Sequence, residues 1–166
     1  PNIANPVASP GSTTKYFVTV TQGVCQNIDS VTVTVENTPT ADFSFNSVCQ
    51  GDTTFFIDLS SNGGDSIVTW AWDFGDSNSS SLQSPAYLYA QGGTYDVNLH
   101  VITLNGCDDN LTTSIVVNSI PVAAFIASNF CFNDTTFFIN QSTIATGSIT
   151  NYSWNLDDGV MFFTSD

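Results

Sequence analysis

The stretch that decides the fold is Trp72-Asp73-Phe74-Gly75-Asp76, followed further along by the run Gly93-Thr94-Tyr95-Asp96-Val97-Asn98-Leu99. In the second run apolar and polar residues alternate, so Tyr95, Val97 and Leu99 share one face of a strand. In the first, Trp72 and Phe74 share a face with Val68 and Trp70, and Asp and Gly form a turn at its end. Alternation of period two beside an Asp-Gly turn predicts half-buried β-strands.

The aromatic stretch returns 82 residues later as Trp154-Asn155-Leu156-Asp157-Asp158, so the chain contains a repeat. The segment 48–57 returns at the same offset as 130–139. Cys25 and Cys107 are also 82 residues apart. The repeat indicates that the same structural unit occurs more than once in the chain.

Short polar junctions with Pro39 and Pro121 mark the boundaries between units. The predicted division is the C-terminal part of one domain at 1–39, a complete domain at 40–119, and the N-terminal part of another at 120–166. Strand signals recur about every ten residues, which predicts an all-β fold of tandem Ig-like β-sandwiches, with about seven strands per complete unit. The last segment supplies only about three strands, so we expect it to stay frayed unless more chain or a neighbour completes it.

The strand predicted at 54–59 has two different faces. Alternation groups Phe55 with Ile57 and Leu59 on one face and places Phe56 on the other. We expect Phe56, and its counterpart Phe138 in the next unit, to point outward. An outward Phe is either covered by the domain's own loops, the favoured interpretation, or forms part of a sugar- or protein-binding surface.

Charge and composition exclude several classes of protein. The 166 residues carry a net charge of −14, and Lys15 is the only Lys or Arg among them. Such a chain cannot neutralise phosphates, which excludes nucleic-acid binding and argues against docking on anionic membranes. No apolar run approaches the roughly 18 residues of a membrane span, so we expect no direct membrane insertion. Four cysteines in an acidic, Thr-rich sequence fit an oxidising, extracytoplasmic setting.

A resemblance to the PKD (polycystic kidney disease) domain family is carried by Trp72–Asp76, Ser84-Pro85, Tyr89 and Gly93–Leu99. The family pattern is WDFGDG, then Pro and Tyr, then G-x-Y-x-V-x-L, and the resemblance covers 40–119. Position 77 is Ser where the family usually has Gly, and Asn155, Leu156 and Asp157 replace Asp, Phe and Gly in the second copy. The residues that the resemblance marks as the structural motif are Trp72, Asp73, Phe74, Gly75, Asp76, Tyr89, Gly93 and Tyr95.

Residues 1–39 resemble a different module, the closing strands of bacterial Ig-like repeats. Such repeats alternate with PKD domains in very long surface adhesins of gliding, type IX-secreting bacteria. The resemblance therefore implies a stalk or spacer at the bacterial cell surface, linked to gliding motility or attachment. The partners it implies are neighbouring repeats of the same chain and surface glycans or proteins.

Two alternative functions remain open, and enzyme activity is not among them. The alternatives are a glycan- or protein-binding module and an accessory domain of a secreted hydrolase. His100 is the only His, and alternation places it on the outer face of its strand. No nucleophile with its base and no zinc-ligand spacing can be assembled around it. We therefore expect no catalytic residue and no cofactor.

Two pairs of carboxylates are the candidates for a calcium site. Asp73 and Asp76 flank the aromatic motif, and Asp108 and Asp109 form a pair in a later loop. Calcium requires several oxygens that converge at one point. The favoured interpretation is instead that these carboxylates accept backbone N–H bonds in turns.

The disulfide candidates are Cys25, Cys49, Cys107 and Cys131. Cys49 and Cys107 lie in the same unit, but in an Ig-like sandwich their turns lie at opposite ends, roughly 20–30 Å apart at about 3.3 Å per strand residue. A disulfide requires Cα atoms within about 7 Å. We therefore expect each disulfide to join successive units, with a Cys49–Cys107 bond as the alternative.

Four Ser or Thr residues match a short O-glycosylation pattern of bacteria of this type, in which Asp precedes Ser or Thr and a small apolar residue or Thr follows. The four residues are Ser30, Thr53, Ser66 and Thr135. The resemblance implies a glycoprotein.

Overall fold

The computed structural model describes residues 5–128, 131, 135–156 and 161–165. Every regular element in these ranges is a β-strand, which confirms the predicted all-β class. Among these residues no helix is long and apolar enough to cross a membrane. The strands are β1 (Thr14–Gln22), β2 (Cys25–Val33), β3 (Phe43–Phe45), β4 (Thr53–Asp58), β5 (Ile67–Asp73), β6 (Ser79–Ser80), β7 (Ala86–Leu88), β8 (Gly93–Thr103), β9 (Asp108–Val117), β10 (Phe125–Ala127), β11 (Phe138–Asn140), β12 (Asn151–Asn155) and β13 (Met161–Ser165).

Strands β3 to β9 form an Ig-like sandwich of two antiparallel sheets, as the strand spacing predicts. One sheet has the order β3-β4-β7 and the other the order β6-β5-β8-β9. The core is formed by the side chains between them. Val97, Leu99 and Val101 on β8 are completely buried, so the predicted inner face of this strand is confirmed.

Aromatic rings from both sheets fill the centre of the sandwich. The Trp72 ring lies 5.1 Å from Phe43 and 5.4 Å from Phe56 between ring centroids. Its indole Nε1 donates a hydrogen bond of 2.9 Å to the carbonyl oxygen of Leu82. Trp72, Phe56 and Phe74 are each 1% exposed, so these large rings contribute much of the buried apolar surface.

The predicted orientation of β4 is wrong, because Phe56 faces the core and Phe55 faces solvent. Phe56 is 1% exposed, whereas Phe55 and Ile57 are 58% and 53% exposed. Alternation fixes which residues share a face but does not say which face turns inward. Thr54 and Asp58, on either side of Phe56 on the inner face, are polar. In the sequence this face therefore looks like the one that meets solvent. A ligand surface centred on Phe56 is thereby excluded.

The predicted common face of β5 is only partly correct. Trp72 and Phe74 are buried, and Trp70 packs against the core, but Val68 is 51% exposed. An irregularity in the pairing of β5 with β8 lies between Ile67 and Thr69 and shifts the register there. A bulge of this kind turns the preceding side chains to the other face.

The chain enters and leaves the sandwich at opposite ends of the long pair β8–β9. At the N-terminal end, the backbone N–H of Ala41 donates to Oδ2 of Asp109 at 2.9 Å. At the C-terminal end, the N–H of Gln50 donates to the carbonyl of Asn118 at 2.8 Å. Asp109 is the second residue of β9, and Asn118 directly follows its last residue. The two ends of the sandwich are therefore about 30 Å apart, at about 3.3 Å per residue.

Two further pieces of sheet flank this sandwich. The first piece is a separate hairpin formed by β1 and β2. The second piece consists of two separate two-stranded sheets, β10–β11 and β12–β13. The strands of this second piece repeat β3 to β6 of the sandwich. Residues 129–130, 132–134 and 157–160, including Asp134, Asp157 and Asp158 of the repeated segments, lie outside the described residues.

Candidate functional site

The turn after β5 holds the aromatic motif in place by backbone contacts. Gly75 has a φ of 78°, and a Cβ built on it would lie 2.7 Å from the carbonyl oxygen of Asp96. Oδ1 of Asp73 accepts the N–H of Gly75 at 2.9 Å. Only glycine satisfies both the positive φ and the close approach to β8. The motif is therefore a structural turn, which agrees with the favoured interpretation.

Asp76 joins this turn to β7. Its Oδ1 accepts the N–H of Asn78 at 3.1 Å, and its Oδ2 accepts the hydroxyl of Tyr87 at 2.7 Å. Burial and the hydrogen bond to Asp76 together raise the pKa of Tyr87 to about 12. Burial tends to raise the pKa of Asp76, but the hydrogen bonds from Tyr87 and Asn78 outweigh it and lower the pKa. The pair thus stays a neutral phenol bonded to a carboxylate.

A ladder of aromatic rings continues from this turn to the C-terminal end of the sandwich. Phe74 stacks on Tyr87 at 4.0 Å, Tyr87 meets Tyr89 edge-on at 4.8 Å, and Tyr89 lies 4.3 Å from Tyr95. The Tyr89 hydroxyl donates to the carbonyl of Phe74 at 3.0 Å. Burial is the main cause that raises the pKa of Tyr89. Gly93, the remaining motif residue, is the first residue of β8 beside this ladder.

The four candidate calcium ligands do not converge. The carboxylates of Asp73 and Asp76 accept hydrogen bonds from N–H groups of their own turn, and that of Asp109 accepts one from the N–H of Ala41. Oδ2 of Asp108 lies 2.9 Å from Nε2 of His100. Asp73 is opposite Asn98 on β8, whereas Asp108 is opposite Ile102, about 13 Å further along at about 3.3 Å per residue. Within the described ranges, no three His, Cys, Asp or Glu side chains come together as metal ligands.

The described cysteines are free thiols, and the two within the sandwich, Cys49 and Cys107, lie far apart. The backbone of Cys49 forms a β-bridge with Asn118 at the C-terminal end of the sandwich. Cys107 lies in the β8–β9 turn at the N-terminal end. About 30 Å of strand separates them, well beyond the 7 Å that a disulfide allows. Cys25 and Cys131 are exposed. The geometry thus favours inter-unit pairing over a Cys49–Cys107 bond, and inter-unit pairing stays a prediction.

The four candidate glycosylation residues all lie at the surface. Ser30 lies in β2, Thr53 begins β4, Ser66 precedes β5 and Thr135 lies between β10 and β11, and each is exposed. Exposure makes the hydroxyl groups accessible to a transferase, and their modification stays a prediction.

The structure also contains a polar cleft with an aromatic wall, which the sequence did not reveal. The cleft has a volume of about 460 Å³ and lies beside Trp70. Oδ2 of Asp58 accepts the indole N–H of Trp70 at 2.7 Å and the amide of Gln83 at 3.0 Å, while its Oδ1 accepts the N–H of Ser60 at 3.0 Å. Burial raises the pKa of Asp58, but the bonds from Ser60, Gln83 and Trp70 prevail and lower it.

These three side chains are brought together by three separate segments, the end of β4, the middle of β5 and the loop before β7. Asp58, Trp70 and Gln83 show no common spacing, and the signal that could have found them is only Trp70, the first Trp of β5. A partly buried indole beside a carboxylate, an amide and hydroxyl groups offers one stacking face and several hydrogen-bonding groups.

The chain is similar in sequence to a known domain family and to known proteins. The family model of the PKD domain matches residues 36–119. The pre-pro-metalloprotease PrtV of Vibrio cholerae, in two strains, is 30% identical over 131 residues. The match covers 76% of this chain and 14% of the relative, so the chain spans about a seventh of the length of the curated relatives it matches.

Two solved structures are also similar. The PKD1 domain of Vibrio anguillarum Epp is 28% identical, with a TM-score of 0.47, and the match covers 50% of this chain and 96% of that domain. The PKD1 domain of the Vibrio cholerae metalloprotease PrtV is 30% identical, with a TM-score of 0.45, and the match covers 49% and 98%.

Proposed function

The chain belongs to the PKD domain family, and on that premise we propose that it is a spacer segment of a large, repetitive extracellular adhesin at a bacterial cell surface. In this role it holds a binding region away from the cell during attachment or gliding. The observation that carries the proposal is that the chain enters the sandwich at one end and leaves it at the other. Ala41 and Asn118 anchor the chain at opposite ends of the sandwich, so each added unit extends the protein along one axis.

Charge and chemistry support the same role. A net charge of −14 keeps neighbouring molecules apart in solution. The motif carboxylates of Asp73 and Asp76 are used in turns, and His100 pairs with Asp108 on an outer strand surface. We infer a non-catalytic segment whose motif residues hold one rigid sandwich.

Electron–electron distance measurements between spin labels on native cysteines test this proposal. The variant Cys25→Ser/Cys49→Ser keeps Cys107 and Cys131 for labelling. If the units follow one another along an axis, these labels are about 60 Å apart, because two lengths of roughly ten strand residues separate them. Dilution with unlabelled protein removes distances between molecules.

The matched control is Cys25→Ser/Cys131→Ser, which keeps Cys49 and Cys107 within one sandwich. We expect about 30 Å for this pair, from the length of β9. A Cys107–Cys131 distance below about 40 Å, beside an unchanged control, would show that the units fold back on each other and would contradict a spacer.

A second candidate function, a glycan-binding module, is favoured by the cleft at Trp70. The indole, the Asp58 carboxylate and the Gln83 amide suit the apolar face and the hydroxyl groups of a sugar ring. Calorimetric titration with oligosaccharides distinguishes this function from the spacer. Binding that Gln83→Ala weakens at least fivefold, and that the matched surface change Gln91→Ala leaves intact, would support the module. No binding by the intact chain would contradict it.

An accessory role beside a hydrolase is the third candidate. Its support is that the matched relative is a pre-pro-metalloprotease, of which the chain matches 14%. In that role the sandwich positions a catalytic domain that lies in a different part of the protein.

A further inference from the structure

The sandwich contains two Asn-Gly pairs, and both lie in exposed loops. Asn62-Gly63 lies between β4 and β5, and Asn105-Gly106 forms the turn between β8 and β9. An Asn side chain reacts with the backbone nitrogen of the next residue when the two come close. A following glycine favours this reaction, because no side chain shields the nitrogen or restricts the backbone. The two pairs are similar in sequence, so a difference in reactivity between them comes from the fold.

The reaction releases ammonia and then takes up water. The glycine nitrogen loses its proton to solvent and attacks Cγ of the Asn side chain. The new N–Cγ bond closes a cyclic imide, the Cγ–Nδ2 bond breaks, and Nδ2 takes up a proton and leaves as ammonia. Water then opens the ring. Attack of water at Cγ gives Asp, and attack at the main-chain carbonyl carbon gives isoaspartate, in which the backbone runs through the side chain.

The fold holds Asn62 in a geometry that favours this attack. Oδ1 of Asn62 accepts the N–H of Gly64 at 3.2 Å, so the side-chain carbonyl lies along the peptide that follows. Negative charge develops on this oxygen when the nitrogen attacks Cγ, and the hydrogen bond stabilises it. Among the described residues, no acceptor is bonded to the N–H of Gly63, so the attacking nitrogen is available.

The fold also requires the glycine that makes Asn62 reactive. Gly63 has a φ of 63°, which residues with a side chain rarely adopt. A Cβ built on Gly63 would lie 2.5 Å from the carbonyl oxygen of Thr38. A bulkier residue that would shield the nitrogen is therefore excluded at this position.

The turn at Asn105 is protected by its contacts. The N–H of Gly106 donates to the carbonyl oxygen of Thr103 at 3.0 Å, and this bond must break before the nitrogen attacks. The N–H of Asn105 donates to Oδ2 of Asp65 at 2.8 Å. This hydrogen bond is the main cause that lowers the pKa of Asp65, so the side chain stays an anion. A negative charge here opposes the negative charge that develops on the attacked amide.

We propose that Asn62 is a site of spontaneous deamidation in the folded protein and that Asn105 is protected. The modification goes beyond the spacer role and does not depend on it.

Isoaspartate at position 62 acts on the place where the chain enters the sandwich. The carbonyl oxygen of Gly63 accepts Nδ2 of Asn37 at 3.2 Å, which attaches the preceding segment to this loop. Isoaspartate adds one atom to the backbone between residue 62 and Gly63. Because Gly63 already lies against Thr38, the longer backbone displaces these contacts. Deamidation thus releases the entering segment from the sandwich.

Peptide mapping of the intact chain after incubation in mildly alkaline buffer tests the proposal. Digestion with pepsin at acid pH stops the reaction, and mass spectrometry measures the conversion of amide to acid at each Asn. In the folded chain Asn62 should convert about tenfold faster than Asn105, because one hydrogen bond must break before Gly106 attacks. In urea both pairs lose their contacts and should convert at nearly the same rate. Equal rates in the folded chain, or conversion of Asn62 only in urea, would overturn the proposal.

Variants at the two pairs make the test specific. Asn62→Gln keeps the amide but needs a larger ring, so it should abolish conversion at position 62 and leave Asn105 unchanged. Asp65→Ala frees the N–H of Asn105 and removes the adjacent charge, so it should raise the conversion of Asn105 about threefold and leave Asn62 unchanged. No change at Asn105 in Asp65→Ala would contradict the proposed protection.

Hydrogen exchange tests the consequence for the entry of the chain. The N–H groups of Thr40 and Ser61 each donate to the other's carbonyl oxygen at 2.9 Å, next to Asn62. Peptides that contain these groups should exchange about fivefold faster in aged wild-type chain than in fresh chain. Asn62→Gln aged in the same way is the matched control and should not change. Equal exchange in fresh and aged wild type, with Asn62 converted, would contradict the release of the entering segment.

Discussion

At the level of single residues, the turn at Gly75 shows how one backbone conformation holds the aromatic motif in place. The positive φ turns the chain back on itself directly after Phe74, and the missing side chain lets the turn approach Asp96 on β8. Two carboxylates in the motif then satisfy turn N–H groups. The chemistry that resembles a metal or catalytic site is therefore used to fix a turn.

We expect Gly75→Ala to destabilise the sandwich by about 2–5 kcal/mol. A left-handed conformation costs a residue with a side chain about 1–2 kcal/mol, and the overlap of its Cβ with the Asp96 backbone costs roughly 1–3 kcal/mol more. Urea unfolding followed by tryptophan fluorescence measures the loss.

Gly51→Ala is the matched control, because Gly51 has a φ of 81° but no atom within 4 Å of its Cβ position. It should lose only the conformational cost, about 1–2 kcal/mol. Equal losses for the two variants would mean that the approach to Asp96 is unimportant.

At the level of strands, β4 shows what the sequence could and could not predict. Alternation correctly grouped the residues of β4 and of β8, and on β8 the inner face was evident because Val97, Leu99 and Val101 are all apolar. On β4 the more apolar face, with Phe55 and Ile57, turned out to face solvent. Which face turns inward depends on contacts with the opposite sheet, which periodicity does not contain.

The same limit applies to the candidate site. The turn residues of the motif were predictable because Asp and Gly have local preferences. The cleft at Trp70 was not, because Asp58 and Gln83 meet only after distant segments pair. The bulge before Thr69 also escaped prediction, since an extra residue leaves the sequence pattern of a strand almost unchanged.

The pair Phe55 and Phe56 tests the orientation of β4 directly. Phe56→Ala should cost about 3–5 kcal/mol, because it leaves a cavity among Phe43, Trp72 and Phe74. Phe55→Ala should change the free energy of unfolding by at most about 0.5 kcal/mol, because the ring lies mostly in solvent. Urea unfolding of both variants measures the difference, and a larger loss for Phe55→Ala would invert the assignment.

At the level of the whole molecule, the two ends of the sandwich explain the spacer proposal. Hydrogen bonds from Ala41 to Asp109 and from Gln50 to Asn118 hold the entry and the exit of the chain at opposite ends of β8–β9. A unit whose two ends lie apart adds its own length to a series of units, which is what a spacer needs.

The single basic residue has a consequence for digestion by proteases. Trypsin cleaves after Lys and Arg, and this chain offers it only the bond after Lys15, which lies in the exposed strand β1. A two-stranded hairpin is only marginally stable alone, so it opens often enough to be cut. Residues 40–119 contain no Lys or Arg, so trypsin has no bond to cut within the sandwich even when the sandwich opens.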